Sequence, residues 1–145
     1  MNSYIKPLEI RWSDLDPNFH LRHSAYYDFG AYVRICYLTE NGLPIKLMEE
    51  HRFGPILFRE ECTFRREIRL GDEVTISVEL LKARQDFSRW SIQHQLVRNG
   101  QLAAVLVVDG AWMNVDARKL TILPEIARPA FESMPRAENF EWIVK

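Results

Sequence analysis

Four side chains able to move a proton or hold an ion fall inside one short stretch: Asp14, Asp16, His20 and His23, in WSDLDPNFHLRH over 12–23. A carboxylate there can serve as a nucleophile or a general base, and histidine adds a group that titrates near neutrality. The same residues suit a plainer role. Asp beside a proline turn, here Pro17, commonly accepts hydrogen bonds from nearby backbone N–H groups. Spacing alone leaves both readings open.

The elements on either side must decide where these groups point. Leu8, Ile10 and Trp12 alternate with Glu9 and Arg11, which predicts a half-buried strand running into the loop. From Ser24 the period changes: Tyr26, Phe29, Val33 and Tyr37 sit at helical spacing, with Ser24 as N-cap and Asn41-Gly42 as the stop. Ala25, Ile35, Cys36 and Leu38 widen the apolar face, so this helix is expected to be mostly buried. A short amphipathic piece, PIKLMEEH, follows from Pro44.

Beyond Gly54-Pro55 the pattern is strand. Ile56, Phe58, Cys62 and Phe64 share one parity, which Glu60 interrupts, and Leu70-Gly71-Asp72 marks a turn. Val74, Ile76, Val78 and Leu80 form a second strand, and residues 87–97 a third. Asn99-Gly100 favours a type I′ hairpin into a fourth strand from Leu102 to about Val115, apolar enough to be central and covered on both faces. Residues 124–134 add a short helix. One domain over 1–145 is expected, of α+β class: a curved antiparallel sheet of about five strands wrapped around one long central helix.

Composition narrows the partners. With 47% hydrophobic and 27% charged residues the chain is a globular protein rather than a disordered one. Nineteen Lys and Arg against twenty Asp and Glu leave no overall field to draw it onto nucleic acid or an anionic membrane, so an anionic ligand needs a local basic patch. Cys36 and Cys62 lie outside any metal or disulfide spacing. MNSYIKPLEIRW lacks a basic-then-apolar leader, and the longest apolar run, Leu102 to Val108, is too short to span a bilayer; a cytoplasmic protein is expected.

Three features together resemble the hotdog-fold acyl-CoA thioesterases of the 4-hydroxybenzoyl-CoA thioesterase type. RWSDLDPNFHLRHSAYYDF at 11–29 is similar to the family's aromatic, Asp-x-Asp, short loop and aromatic helix. GPILFREECTFRREIRLGDEVTISVELLK at 54–82 is similar to its first meander strands and their Gly-Asp turn. The order of elements over roughly 4–124 is the third. The resemblance implies hydrolysis of acyl-CoA without cofactor or metal, in a homodimer or homotetramer with active sites between subunits.

It also implies roles. Asp16 becomes the catalytic carboxylate, as nucleophile or general base, and the backbone N–H near His23 holds the thioester carbonyl. Asp14 is expected to shape the turn, and His20 is left undecided. By resemblance, Arg84, Arg118 and Lys119 lie where the family often meets the nucleotide end of CoA. Asp28 on the helix and Glu60 or Glu61 on the first meander strand are competing carboxylates, for which a dipole interaction and ion pairs with arginine are the structural alternatives.

Departures from the pattern fall at Phe19, where many relatives have Gly, and at Arg22-His23. Phe19 is expected to redirect the loop or narrow the acyl pocket, and Arg22 to help hold an anionic ligand. Two other functions fit the same fold: hydrolysis of acyl groups on acyl carrier protein, and a non-catalytic module that binds an acyl ligand.

Overall fold

The computed structural model describes residues 3–144. Among these residues eight strands and three α-helices follow in chain order. β1 is Ile5–Leu8, α1 His23–Glu40, α2 Ile45–His51, β2 Phe53–Phe64, β3 Val74–Ser77 and β4 Glu79–Ala83. β5 is Arg89–Arg98, β6 Gln101–Asn114, β7 Lys119–Thr121, α3 Arg128–Glu132 and β8 Arg136–Trp142.

β2, β6 and β5 lie side by side and antiparallel, and β5 pairs on its other edge with β3 and then β4. β1 extends the sheet beside β3, while β8 runs parallel to β4. β7 folds back on the end of β6. α1 packs across the concave face, so the chain has the hotdog arrangement, with eight strands where about five were expected. The second long strand is interrupted at Val78, whose N–H turns to Tyr4 O. The other additions are β7, which is three residues long, and β8, which is seven.

Inward positions of the sheet carry the core. Trp90, Ile92, His94 and Leu96 of β5 and Ala104, Leu106, Val108 and Trp112 of β6 are all buried against α1. On the opposite face of β6, Val105, Val107 and Asp109 are half-buried and Ala111 is fully buried. α1 likewise buries one face, with Ala25, Tyr26, Gly30, Val33, Tyr37 and Leu38, and exposes another at Tyr32. Gly30 lets the helix approach the sheet closely: a Cβ there would run into the Leu106 side chain.

Two expectations are corrected at the strand ends. The first strand stops at Leu8, because Asp14 draws the backbone N–H and guanidinium of Arg11 into a turn and residues 12–14 become a short 3-10 helix that leaves Trp12 exposed. In β2 the partners step from Leu57↔Gly110 to Arg59↔Asp109, making Phe58 an extra, bulged residue. Pro55 and Leu57 face α1 before the bulge, and Glu60, Cys62 and Phe64 face it after. Glu60 therefore belongs to the inner face, and Phe58 does not.

The hairpin between β5 and β6 is as expected: Asn99 and Gly100 both have positive φ, 48° and 82°, as a type I′ turn requires.

Candidate active site

The loop 15–22 is held by Asp14 at its base and Asp16 within it. Asp14 is 1% exposed, and Arg11 holds it with its backbone N–H at 3.0 Å, Nε at 3.1 Å and Nη2 at 2.9 Å. These Arg11 bonds hold its carboxyl below the usual carboxylate range against the cost of burial. Arg22 N–H donates to Asp14 O at 2.8 Å, closing the loop at its base, where Leu15 and Leu21 bridge. Asp14 is thus the structural member of the pair.

Asp16 sits at the loop tip. Its Oδ1 accepts the backbone N–H of Asn18 at 2.9 Å and of His20 at 3.1 Å, while its own N–H donates to His20 O at 2.8 Å. These bonds fix one carboxylate oxygen. Oδ2 has no protein partner among the described residues.

Arg22 is the residue preceding α1, and its side chain does not cap the helix. The helix thus begins one residue before the expected N-cap, Ser24, which instead accepts from Arg22 Nε at 3.0 Å. Ala25 N–H returns to Arg22 O, and among the described residues neither His23 nor Ser24 N–H has a backbone acceptor. The positive end of the α1 dipole and two unpaired donors therefore lie beside the Asp16 loop.

Asp16, His20, Leu21, His23, Tyr26 and Phe64 line one open cleft of about 340 Å³, bordered also by Arg65, Arg66 and Glu67. Tyr26 and Phe64 meet edge to face with centroids 4.9 Å apart, and burial pushes the Tyr26 hydroxyl up to about 12, so it stays protonated. His20 Nε2 lies 3.1 Å from Glu67 Oε1 and 3.3 Å from Arg69 Nη2; it donates to the former when it carries the proton and accepts from the latter when it does not. Arg69 holds Glu67 below the usual carboxylate range.

Of the residues expected to contact substrate, this cavity gathers Asp16 and His23. Phe19 stands on the loop, 60% exposed, with its ring 6.5 Å from that of the exposed Trp12 and its backbone at φ 66°, the conformation glycine would adopt freely. Arg22 is turned to Ser13 O, Ser24, Asp14 and Asp28 rather than into the cavity. Arg84, beyond β4, and Lys119, paired with Asn114, lie at the far end of the sheet. Arg65 and Arg66 are the cations that border the cavity instead: both backbone N–H groups turn to Ala103 O, bending the chain off the end of β2. The doubled arginine after an apolar strand was the sequence signal for them.

The competing carboxylates are otherwise engaged. Glu60 pairs with Arg34 of α1 at 3.8 Å, Glu61 with Arg59 at 3.1 Å, and Asp28 faces Arg22.

Among the described residues no helix is long and apolar enough to cross a membrane. No curated protein sequence matches this one. Solved structures do. A hypothetical protein from Staphylococcus aureus in complex with CoA aligns with a TM-score of 0.84 at 20% identity, covering 99% of this chain and 89% of that one. A 1,4-dihydroxy-2-naphthoyl-CoA thioesterase from Synechocystis gives 0.81 at 14% identity, covering 91% and 97%. A thioesterase from Thermus thermophilus complexed with coenzyme A and zinc gives 0.75 at 26% identity, covering 90% and 92%. A family model described as the thioesterase-like superfamily matches residues 10–131, and the chain belongs to that superfamily.

Proposed function

We propose that this protein hydrolyses acyl-CoA thioesters, with Asp16 as the reacting carboxylate and the N-terminus of α1 as the oxyanion site. The observation that carries this reading is that Asp16 and His23, the first residue of α1, line one cavity, next to N–H groups left without backbone acceptors. Asp16 Oδ1 is fixed by two backbone donors, leaving Oδ2 to attack the thioester carbon or to take a proton from water. As the carbonyl carbon becomes tetrahedral its oxygen gains negative charge, and an N–H donor already aimed there stabilises the transition state by roughly 3 kcal/mol. His20 and Glu67 form a polar wall, and Arg65 and Arg66 supply cations for phosphate groups at the mouth.

The working unit is a homodimer, or a tetramer of such dimers. Among the described residues β2 pairs with β6 alone, so its long outer edge is open, and Leu57, Phe58 and Phe64 along it are 44%, 52% and 51% exposed. An open apolar strand edge invites another strand. Antiparallel pairing of two β2 edges would bring the Lys119 end of one copy toward the Arg65 and Arg66 end of the other, giving Arg84 and Lys119 a route to a site they do not reach within one chain.

Thiol release from a panel of straight-chain and aromatic acyl-CoAs tests the activity. Asp16→Asn should reduce kcat at least a hundredfold, while Glu60→Gln and Asp28→Asn should stay within a few-fold of the parent. Full activity in Asp16→Asn would remove this mechanism. Tight acyl-CoA binding with no turnover would replace it with the non-catalytic reading, and a marked preference for acyl carrier protein would change the substrate.

A further inference from the structure

Tyr26 is a buried residue with a polar end in the wall of the Asp16 cleft. It is 3% exposed, yet it lines the cleft together with Asp16, Leu21, His23 and Phe64. Phe64 sets its ring edge to face. Among the described residues its hydroxyl has no hydrogen-bond partner, whereas the other buried tyrosine of α1, Tyr37, donates to Ala130 O at 2.6 Å. A hydroxyl taken out of bulk water without a partner costs stability, so folding gives no reason for this one.

The helix sets where that hydroxyl lies. Tyr26 follows His23, the first residue of α1, by three positions, so the two share a face. A long side chain on a helix leans back over the preceding turn, toward the N-terminus. The Tyr26 ring thus runs over the first turn toward the N–H groups of His23 and Ser24, which have no backbone acceptor. Burial first, then Cys62 and the negative charge of Asp16, push the hydroxyl up to about 12, so it keeps its proton and can donate it to a hydrogen bond.

We propose that the Tyr26 hydroxyl is a second oxyanion donor, which hydrogen-bonds the thioester oxygen beside the N–H groups that begin α1. This rests on the thioesterase reading above. No proton changes hands at this residue. As Asp16 or water adds to the carbonyl carbon, the π pair moves onto oxygen and the phenol O–H holds it there. When the C–S bond breaks and the thiolate leaves with its electron pair, the carbonyl re-forms and the hydroxyl is unchanged.

Tyr26→Phe keeps the ring against Phe64 and removes only the hydroxyl. Its denaturant midpoint should match or exceed that of the parent, since no protein partner is lost. On the best substrate of the acyl-CoA panel its kcat should fall about a hundredfold while KM changes by no more than about threefold. The same substrate, carrying ¹³C at the thioester carbonyl and bound to Asp16→Asn, should show a C=O stretch below its value in solution, and adding Tyr26→Phe should reverse part of that shift. Should Tyr26→Phe fail to fold, 3-fluorotyrosine at position 26, a stronger donor in the same shape, should lower the stretch further in Asp16→Asn; an unmoved band overturns the proposal. Parent-like kcat in Tyr26→Phe overturns it too and leaves hydrolysis by Asp16 standing, and so does a loss of stability with kcat intact, which would make the hydroxyl structural. A parent that hydrolyses no member of the panel ends the thioesterase reading and this proposal with it.

Discussion

Arg34 Nη1 and His94 Nε2 lie 3.0 Å apart beneath the central helix, joining α1 to β5 through a polar contact inside an otherwise apolar layer. His94 is fully buried, and desolvation first, then the charge of Arg34, holds its pKa down at about 3, against the opposing bond to Ser77 O. The imidazole therefore stays neutral across the physiological range.

A pH dependence follows with a definite sign. Between the ordinary histidine value near 6.5 and about 3, the unfolded chain binds a proton at this position that the folded chain refuses. Stability should be fully present above about pH 6.5 and fall as pH decreases through that window, by at most about 1.4 kcal/mol per pH unit from this group. Urea denaturation at pH 7, 6 and 5 should show the loss, and His94→Gln should flatten it. An unchanged slope in the variant would mean that His94 is not its source.

The two aspartates of the loop should separate by experiment. Asp14→Ala removes the acceptor of three Arg11 donors from a buried position, and should cost about 2 kcal/mol in denaturant midpoint measurements. Asp16→Asn should keep its midpoint within about 0.5 kcal/mol, since the amide oxygen can still accept from Asn18 and His20, yet lose turnover. Similar stability losses in both would contradict the division.

Phe19 holds a left-handed backbone that costs a side-chain-bearing residue about 1 kcal/mol, and its exposed ring recovers little of that in packing. Phe19→Gly should therefore stabilise the fold by up to about 1 kcal/mol while raising KM for acyl-CoA. A stabilised variant with unchanged kinetics would leave the ring without a role at the site.

If two copies join through β2, a charge on that edge should part them. Phe58→Lys is expected to shift sedimentation velocity from dimer to monomer and to lower kcat in parallel, because the cations at the far end of the sheet would lose their route to the neighbouring site. A monomeric variant with full activity would show the site to be complete in one chain.

The sequence was most informative where one physical cause acts locally. Tyr26, Val33 and Tyr37 mark the buried face of α1 by spacing alone, and Asn99-Gly100 specifies its turn through the φ values that glycine and asparagine tolerate. It misled where a distant partner overrides the local pattern. Trp12 alternates as a strand residue should, but Asp14 and Arg11 bend the chain before it. Glu60 reads as an interruption only until the bulge is known, and the doubled Arg65-Arg66 does not by itself show that backbone bonds to Ala103 O place it beside the Asp16 cavity. No period in the sequence announces β8, whose place beside β4 depends on the path of the chain after α3.

The extra residue in β2 also bears on how this strand tolerates changes in length. Taking Phe58 out would join Leu57 directly to Arg59 without altering which side chains face α1, since Leu57 would still oppose Gly110 and Arg59 would still oppose Asp109. A single-residue deletion at 58 should therefore spare the core and straighten only the outer edge, whereas a deletion at 60 or 62 would put the wrong side chains against the helix for every position between it and the bulge. Frame-preserving deletions along this strand would map the register without a structure.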